Sequence, residues 1–126
     1  PIVSESATKL VLVDDDALGR RMLKRVLERR GFEVHEAGDG ESGLALIRTV
    51  LPAAALLDLR MPGALSGIDV AREINASPQT AGIPVLIISA SVHTDARELA
   101  THVGVSGFVE KPVDFDHLYE ELQRIL

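Results

Sequence analysis

The chain has 126 residues, a length typical of one domain with a single hydrophobic core. Thirteen basic and nineteen acidic residues give a net charge of -6, which argues against direct nucleic-acid binding, and no DNA-binding segment is apparent. The lack of cysteine excludes disulfides and thiolate zinc sites and favours a cytoplasmic protein, and the apolar runs are far too short to span a membrane.

The chain begins with a polar leader, residues 1–8, which lacks the basic start and apolar run of a signal peptide. Residues 10–13 form the first predicted strand. Residues 17–30 form a predicted amphipathic helix that ends at Gly31 in a left-handed cap. The apolar residues of this helix recur at helical spacing and are expected to share one face: Leu18, Met22, Leu23, Val26 and Leu27.

Four further strands alternate with four further helices. The strands are predicted at residues 32–37, 54–58, 83–89 and 107–111, and the helices at 41–50, 67–77, 94–104 and 114–126. Asp114 is the predicted N-cap of the last helix, which is expected to bury Phe115, Leu118, Leu122 and Ile125. This alternation predicts an α/β domain over residues 9–126, with a five-stranded parallel sheet, right-handed crossovers and helices on both faces.

Polar side chains lie at the ends of four of the predicted strands, at the edge where open parallel sheets bind ligands. Asp14 and Asp15 directly follow the first strand, and the third, fourth and fifth strands end in Asp58, Ser89 and Lys111. Three close carboxylates repel one another unless a cation lies among them, and Mg²⁺ prefers such oxygen ligands. A carboxylate beside the metal can attack a phosphoryl group, whose oxygens a lysine and a hydroxyl would bind. The sequence therefore predicts magnesium-dependent phosphoryl transfer.

The segments VLVDDD, LLDLRMPG, IISAS and FVEKP resemble the receiver domain of two-component response regulators, from about Lys9 to the C-terminus. The resemblance implies a flavodoxin-like fold with strand order 2-1-3-4-5. It implies that Asp58 is the phosphoacceptor, and that Asp14, Asp15, Asp58 and the backbone carbonyl of Arg60 hold Mg²⁺. The implied function is a phosphorylation-dependent switch that catalyses only its own phosphorylation and dephosphorylation.

The resemblance assigns roles to five further residues. Lys111 contacts the phosphoryl group, and a cis peptide bond joins it to Pro112. Ser89 is the switch hydroxyl, Ala90 is the small residue that leaves room for the phosphodonor, and Phe108 is the switch aromatic. The implied phosphodonor is a sensor histidine kinase or a histidine phosphotransfer protein, and the output is an unidentified partner or domain.

The loop after the acceptor departs from the family pattern. Residues 61–67, MPGALSG, include one residue more than the family loop, and Ser66 replaces its acid. This departure affects the expected path of the loop but not the assignment of Asp58 as the acceptor. Arg60 and Ser91 lie where the family tunes the lifetime of the phosphoryl group.

Simpler structural roles compete with several of these assignments. Asp16 is better interpreted as a cap of the first helix, whose dipole favours a negative charge there. The basic residues of that helix form either a solvated face or a docking surface for the phosphodonor: Arg20, Arg21, Lys24, Arg25, Arg29 and Arg30.

Two other functions are compatible with an α/β domain that has an aspartate at a strand end. An aspartate-nucleophile phosphohydrolase would carry a second acid two residues after its nucleophile, where this chain has Arg60. A receiver-like interaction module would never take phosphate, and the intact acidic set argues against it.

Overall fold

The computed structural model describes residues 7–90, 98 and 101–126. The described elements are, in chain order, β1 (Lys9–Val13), α1 (Ala17–Arg29), β2 (Glu33–Ala37), α2 (Gly40–Val50), β3 (Ala54–Leu57), α3 (Gly67–Ala76), β4 (Val85–Ser89), β5 (Gly107–Glu110) and α4 (Phe115–Ile125). The strands form one parallel sheet in the order β2-β1-β3-β4-β5. The predicted fold class and strand order are therefore confirmed.

Aliphatic residues of the sheet alternate between two hydrophobic clusters, as the two-residue period of a strand requires. On one face, Val11, Val13, Ala55 and Leu57 pack with residues of α2 and α3. On the other, Leu10, Leu12, Leu56 and Leu86 pack with residues of α1 and α4. Since both faces are covered, β1, β3 and β4 require continuous aliphatic runs, and their polar residues lie at the strand ends.

The predicted buried faces of the first and last helices are partly wrong. Leu23 and Leu27 of α1 and Leu118 and Leu122 of α4 are buried as expected. Leu18, Met22 and Phe115, however, are 69%, 54% and 37% exposed. Both helices begin at the carboxyl edge of the sheet, so their first apolar residues extend past the strands that would cover them.

The ends of the helices follow the predicted capping residues with one exception. Gly31 lies in the left-handed region after α1, and the Asp114 carboxylate accepts hydrogen bonds from the first turn of α4. Asp16 occupies the N-cap position of α1, but its side chain makes no capping hydrogen bond. Its backbone N–H instead donates to the Asp14 carboxylate at 2.9 Å.

The helix predicted at residues 94–104 is described only in part. Residues 98, 101 and 102 are helical, and Gly104 has a φ of 86°, as expected of a residue that ends a helix. Ser91, residues 94–97 and residues 99–100 lie outside the described residues. Within the described ranges, no helix has the length and apolar character that crossing a membrane would require.

Candidate functional site

Strand ends place Asp14, Asp58 and Lys111 at one edge of the sheet. The backbone N–H of Asp58 donates to the carbonyl of Val13 at 2.9 Å, and that of Lys111 donates to the carbonyl of Ser89 at 2.8 Å. The ladder hydrogen bonds thus extend one residue past β3 and β5. The sheet, rather than a loop, therefore fixes where these side chains begin.

Three carboxylates converge at this edge, as predicted. One oxygen from each of Asp14, Asp15 and Asp58 lies within 4.8 Å of the others. Asp14 is 5% exposed and Asp58 is 9% exposed, whereas Asp15 is open to solvent. An all-oxygen set with one exposed member fits a hard cation such as Mg²⁺, which keeps part of its water shell.

Lys111 reaches the two buried carboxylates of this cluster. Its Nζ lies 2.6 Å from Asp14 Oδ2 and 3.4 Å from Asp58 Oδ2. The peptide bond between Lys111 and Pro112 is cis, as expected. The amine thus lies where it can offset negative charge on Asp58 or on a group attached to it.

Burial and the neighbouring charges shift the pKa values of Asp58 and Lys111. Burial raises the pKa of Asp58 above its ordinary value, and the negative charge of Asp14 raises it further, against the opposing effect of Lys111. Burial lowers the pKa of Lys111, but its hydrogen bond to Asp14 and the charges of both carboxylates outweigh this effect and raise it. Lys111 therefore stays protonated. A further positive charge beside Asp58 would favour the ionised form of its carboxyl group.

The predicted switch residues lie on β4 and β5, which are adjacent strands at one side of the sheet. Ser89 is 3% exposed at the end of β4, and Ala90 immediately after it is exposed. Phe108 of β5 is half-buried against the core on the α2 and α3 side and pairs with Ile87 across the strands. The hydroxyl and the ring therefore lie on adjacent strands, close to the end of the sheet that carries Lys111.

The long loop after β3 enters α3 through a capping box. The Ser66 hydroxyl accepts from the backbone N–H of Asp69, and the Asp69 carboxylate accepts from the Ser66 N–H at 3.0 Å. Ser66 is therefore a helix cap rather than a substitute for the acid of the family loop. Arg60, earlier in the loop, has an exposed side chain, and the metal-binding role of its carbonyl stays a prediction.

Two residues that the sequence interpretation missed hold this loop in place. Glu41 of α2 accepts hydrogen bonds from the backbone N–H groups of Ala64 at 2.8 Å and Leu65 at 3.1 Å. At Gly67, a Cβ atom would overlap the backbone carbonyl oxygen of Asp58. Both contacts join residues from separate elements, and neither has a local sequence signal.

Arg20 is a third residue whose role the sequence interpretation missed. Its side chain is 17% exposed, and its guanidinium donates to the backbone carbonyl of Asp14 at 2.6 Å and to the Glu36 carboxylate at 2.9 Å. Lys24 lies 3.2 Å from the same carboxylate. These two residues are therefore not part of a freely solvated basic face, whereas Arg21 and Arg25 are exposed.

A cavity of about 360 Å³ opens beside the acidic cluster, between α1 and the segment that leads into α4. We call it the α1 groove. Asp14 and Lys111 line it together with apolar residues that include Met22, Leu23, Pro112, Val113 and Phe115. The apolar residues exposed at the starts of α1 and α4 thus border the charged site.

Both the sequence and the fold of this chain are similar to those of known proteins. A family model described as the response regulator receiver domain matches residues 10–123. Chemotaxis protein CheY of Pseudomonas aeruginosa is 33% identical over 118 residues, which cover 93% of this chain and 94% of CheY. The solved structure of Vibrio cholerae chemotaxis protein CheY4 has a TM-score of 0.90 at 26% identity, covering 96% of this chain and 100% of that chain.

A longer relative is also similar to this chain. DNA-binding response regulator MtrA of Mycobacterium tuberculosis is 36% identical over 104 residues, which cover 82% of this chain but 44% of MtrA. The chain thus spans less than half the length of this relative and nearly the whole of CheY.

Proposed function

The chain belongs to the response regulator receiver domain family, and from this membership we propose that residues 9–126 accept a phosphoryl group on Asp58 in a two-component phosphorelay. The observation that carries this proposal is the convergence of Asp58, Asp14, Asp15 and Lys111 at one sheet edge. Three acids and an amine from distant parts of the sequence form one site there, as phosphoryl transfer requires.

The transfer needs a nucleophile, a phosphodonor and positive charge. A carboxylate oxygen of Asp58 attacks the phosphorus of a phosphohistidine, so that a P–O bond forms while the P–N bond breaks. The imidazole nitrogen keeps the electron pair and takes up a proton. Lys111 offsets charge on the phosphoryl oxygens, and Ala90 leaves space for the incoming group.

Residues suited to hold Mg²⁺ are Asp14, Asp15, Asp58 and the backbone carbonyl of Arg60. When bound, Mg²⁺ supplies positive charge beside the phosphoryl oxygens. The all-oxygen cluster within 4.8 Å supports this assignment. Hydrolysis resets the site, because water attacks the phosphorus and breaks its bond to Asp58, which releases inorganic phosphate. The domain therefore catalyses only its own phosphorylation and dephosphorylation.

Phosphorylation then acts as a conformational switch. The Ser89 hydroxyl moves toward the new oxygens, and the space that it leaves admits Phe108. Their placement on adjacent strands, with Ser89 buried and the ring half-buried, supports this exchange. Phosphorylation shifts an existing equilibrium between two arrangements, and the surface around β5 and α4 changes.

The phosphodonor in this proposal is a sensor histidine kinase or a histidine phosphotransfer protein in the cytoplasm. It docks on the α1 groove, where exposed apolar residues such as Met22 and Phe115 lie in the same cavity as Asp14 and Lys111. A donor histidine bound beside Asp14 and Lys111 would lie close to Asp58. The output acts through another domain or a partner protein, without direct nucleic-acid binding by this segment.

Intact mass spectrometry after incubation with acetyl phosphate tests the proposal. The native chain and the control Asp16→Asn should gain one phosphoryl group in the presence of Mg²⁺ and none in excess EDTA. Asp58→Asn should gain none. Labelling of Asp58→Asn would contradict the acceptor assignment, and labelling that does not need Mg²⁺ would contradict the assignment of the metal site. The absence of any adduct on the native chain would favour a phosphate-independent interaction module.

A further inference from the structure

We propose that Arg20 is a positioning residue of the metal site, which holds the peptide unit between Asp14 and Asp15 in the orientation that cation binding requires. This role presupposes the proposed function, because it concerns the carboxylates assigned to Mg²⁺. Arg20 itself lies in the first turn of α1 and is not a ligand.

The contact that carries the proposal is a hydrogen bond to the backbone of the acidic cluster. Arg20 Nη1 lies 2.6 Å from the carbonyl oxygen of Asp14. That carbonyl belongs to the peptide bond that leads into Asp15, and a peptide unit moves as one plane. Restraining the oxygen therefore restrains the Cα atom of Asp15, from which the exposed third carboxylate extends.

Asp15 needs such a restraint more than its two partners do. Asp14 contacts Lys111 at 2.6 Å, and its Oδ1 accepts from the backbone N–H of Asp16. Asp58 also contacts Lys111 and is mostly buried. The Asp15 carboxylate makes no hydrogen bond within the part of the chain that the structure describes. Its position therefore depends on the backbone.

Glu36 of β2 anchors the guanidinium on its other side. Arg20 Nε donates to Glu36 Oε1 at 2.9 Å, and Lys24 Nζ lies 3.2 Å from Oε2 of the same carboxylate. The hydrogen bond from Arg20 is the main cause of the lowered pKa of Glu36, so Glu36 is ionised at neutral pH. Gly38 leaves space for this bridge, since a Cβ atom there would lie 3.3 Å from Arg20 Nη1.

The charge of Arg20 acts against its positioning role, and this opposition makes the proposal testable. A cation near the acidic cluster repels Mg²⁺, so an effect of charge alone predicts tighter Mg²⁺ binding when Arg20 is neutralised. Loss of the backbone restraint predicts weaker binding. Arg21 provides the matched control, because it is the next residue of the same helix and its side chain is exposed.

Isothermal titration calorimetry of the chain with Mg²⁺ separates these effects. Arg20→Gln should weaken Mg²⁺ binding on the order of ten-fold, as the loss of a residue that orients metal ligands typically does. Arg21→Gln should stay within about two-fold of the native chain, since an exposed charge is screened. Arg20→Lys should bind with intermediate affinity, because it keeps the charge but lacks the two-pronged donor.

Equal or tighter Mg²⁺ binding by Arg20→Gln, with a native chain that binds Mg²⁺, would overturn the positioning role and leave the proposed function intact. A native chain that does not bind Mg²⁺ would overturn both. If Arg20→Gln does not fold by circular dichroism, Arg20→Lys carries the test. It keeps the charge but lacks the two-pronged donor that contacts both Asp14 and Glu36, and Mg²⁺ affinity equal to that of the native chain would equally overturn the role.

Discussion

Replacing Asp58 with asparagine is expected to stabilise the metal-free domain, although it removes the proposed acceptor. Asp58 is 9% exposed, and burial together with the charge of Asp14 raises its pKa, so the folded state disfavours the ionised carboxylate. A group of this kind lowers stability as pH rises from its ordinary pKa through its raised one. At neutral pH the penalty is present, and asparagine removes it.

The separation of the carboxylates sets the size of the effect. Two unit charges 4.8 Å apart, the upper limit of the cluster, repel by about 1 kcal/mol in bulk water and by about 3 kcal/mol at an effective dielectric constant of ~20. The attraction of Lys111 to Asp58 opposes this repulsion, but Lys111 keeps its shorter contact with Asp14 in the variant. We therefore expect Asp58→Asn to raise the free energy of unfolding by about 1–2 kcal/mol.

Urea denaturation at neutral pH in EDTA measures this difference. Asp16→Asn provides the control, because Asp16 is exposed and outside the cluster, and it should change stability by less than about 0.5 kcal/mol. Adding Mg²⁺ should stabilise the native chain more than the variant, since one ligand is lost. A less stable Asp58→Asn in EDTA would show that the attraction of Lys111 to Asp58 outweighs burial and the repulsion within the cluster.

Three further substitutions test other parts of the site. Gly67→Ala should destabilise the domain by about 1–3 kcal/mol in urea denaturation, because its Cβ overlaps the Asp58 carbonyl; a change below about 0.5 kcal/mol would contradict this packing. Lys111→Met should slow phosphoryl uptake on the order of a hundred-fold in a mass-spectrometric time course, because it removes the cation beside the acceptor; an unchanged rate would exclude that role. Glu36→Gln should cost less than about 1 kcal/mol near neutral pH, since the ion pair with Arg20 is partly exposed. Because the pKa of Glu36 is lowered, this loss should shrink as pH falls from about 4.5, and a loss that does not depend on pH would show that the charge of Glu36 contributes nothing.

The sheet and the acidic cluster are predictable from the sequence for the same physical reason. Strands covered on both faces must be continuously aliphatic, so the polar residues that end them are conspicuous in the sequence. Parallel strands then bring Asp14, Asp58 and Lys111 to one edge without further information. Helical periodicity is less informative, because it identifies an apolar face but not where the sheet beneath it ends. For this reason the exposure of Leu18 and Met22 was not predicted.

The contacts that hold the site in position were not predictable from local patterns. Arg20 appeared as one of six basic residues on a helix, and only the fold shows that it reaches the backbone of the acidic cluster. Glu41 contacts a loop more than twenty residues away along the chain. The capping box of Ser66 and Asp69 is the exception, because its spacing is readable in the sequence.

The most direct test of the central claim locates the phosphoryl group on the chain. After incubation with acetyl phosphate and Mg²⁺, borohydride reduction converts an aspartyl phosphate to homoserine, and peptide mass spectrometry identifies the residue that changed. We predict conversion at Asp58 alone, with Asp14, Asp15 and Asp16 intact. Conversion at any other aspartate, with Asp58 unmodified, would contradict the assignment of Asp58 as the phosphoacceptor.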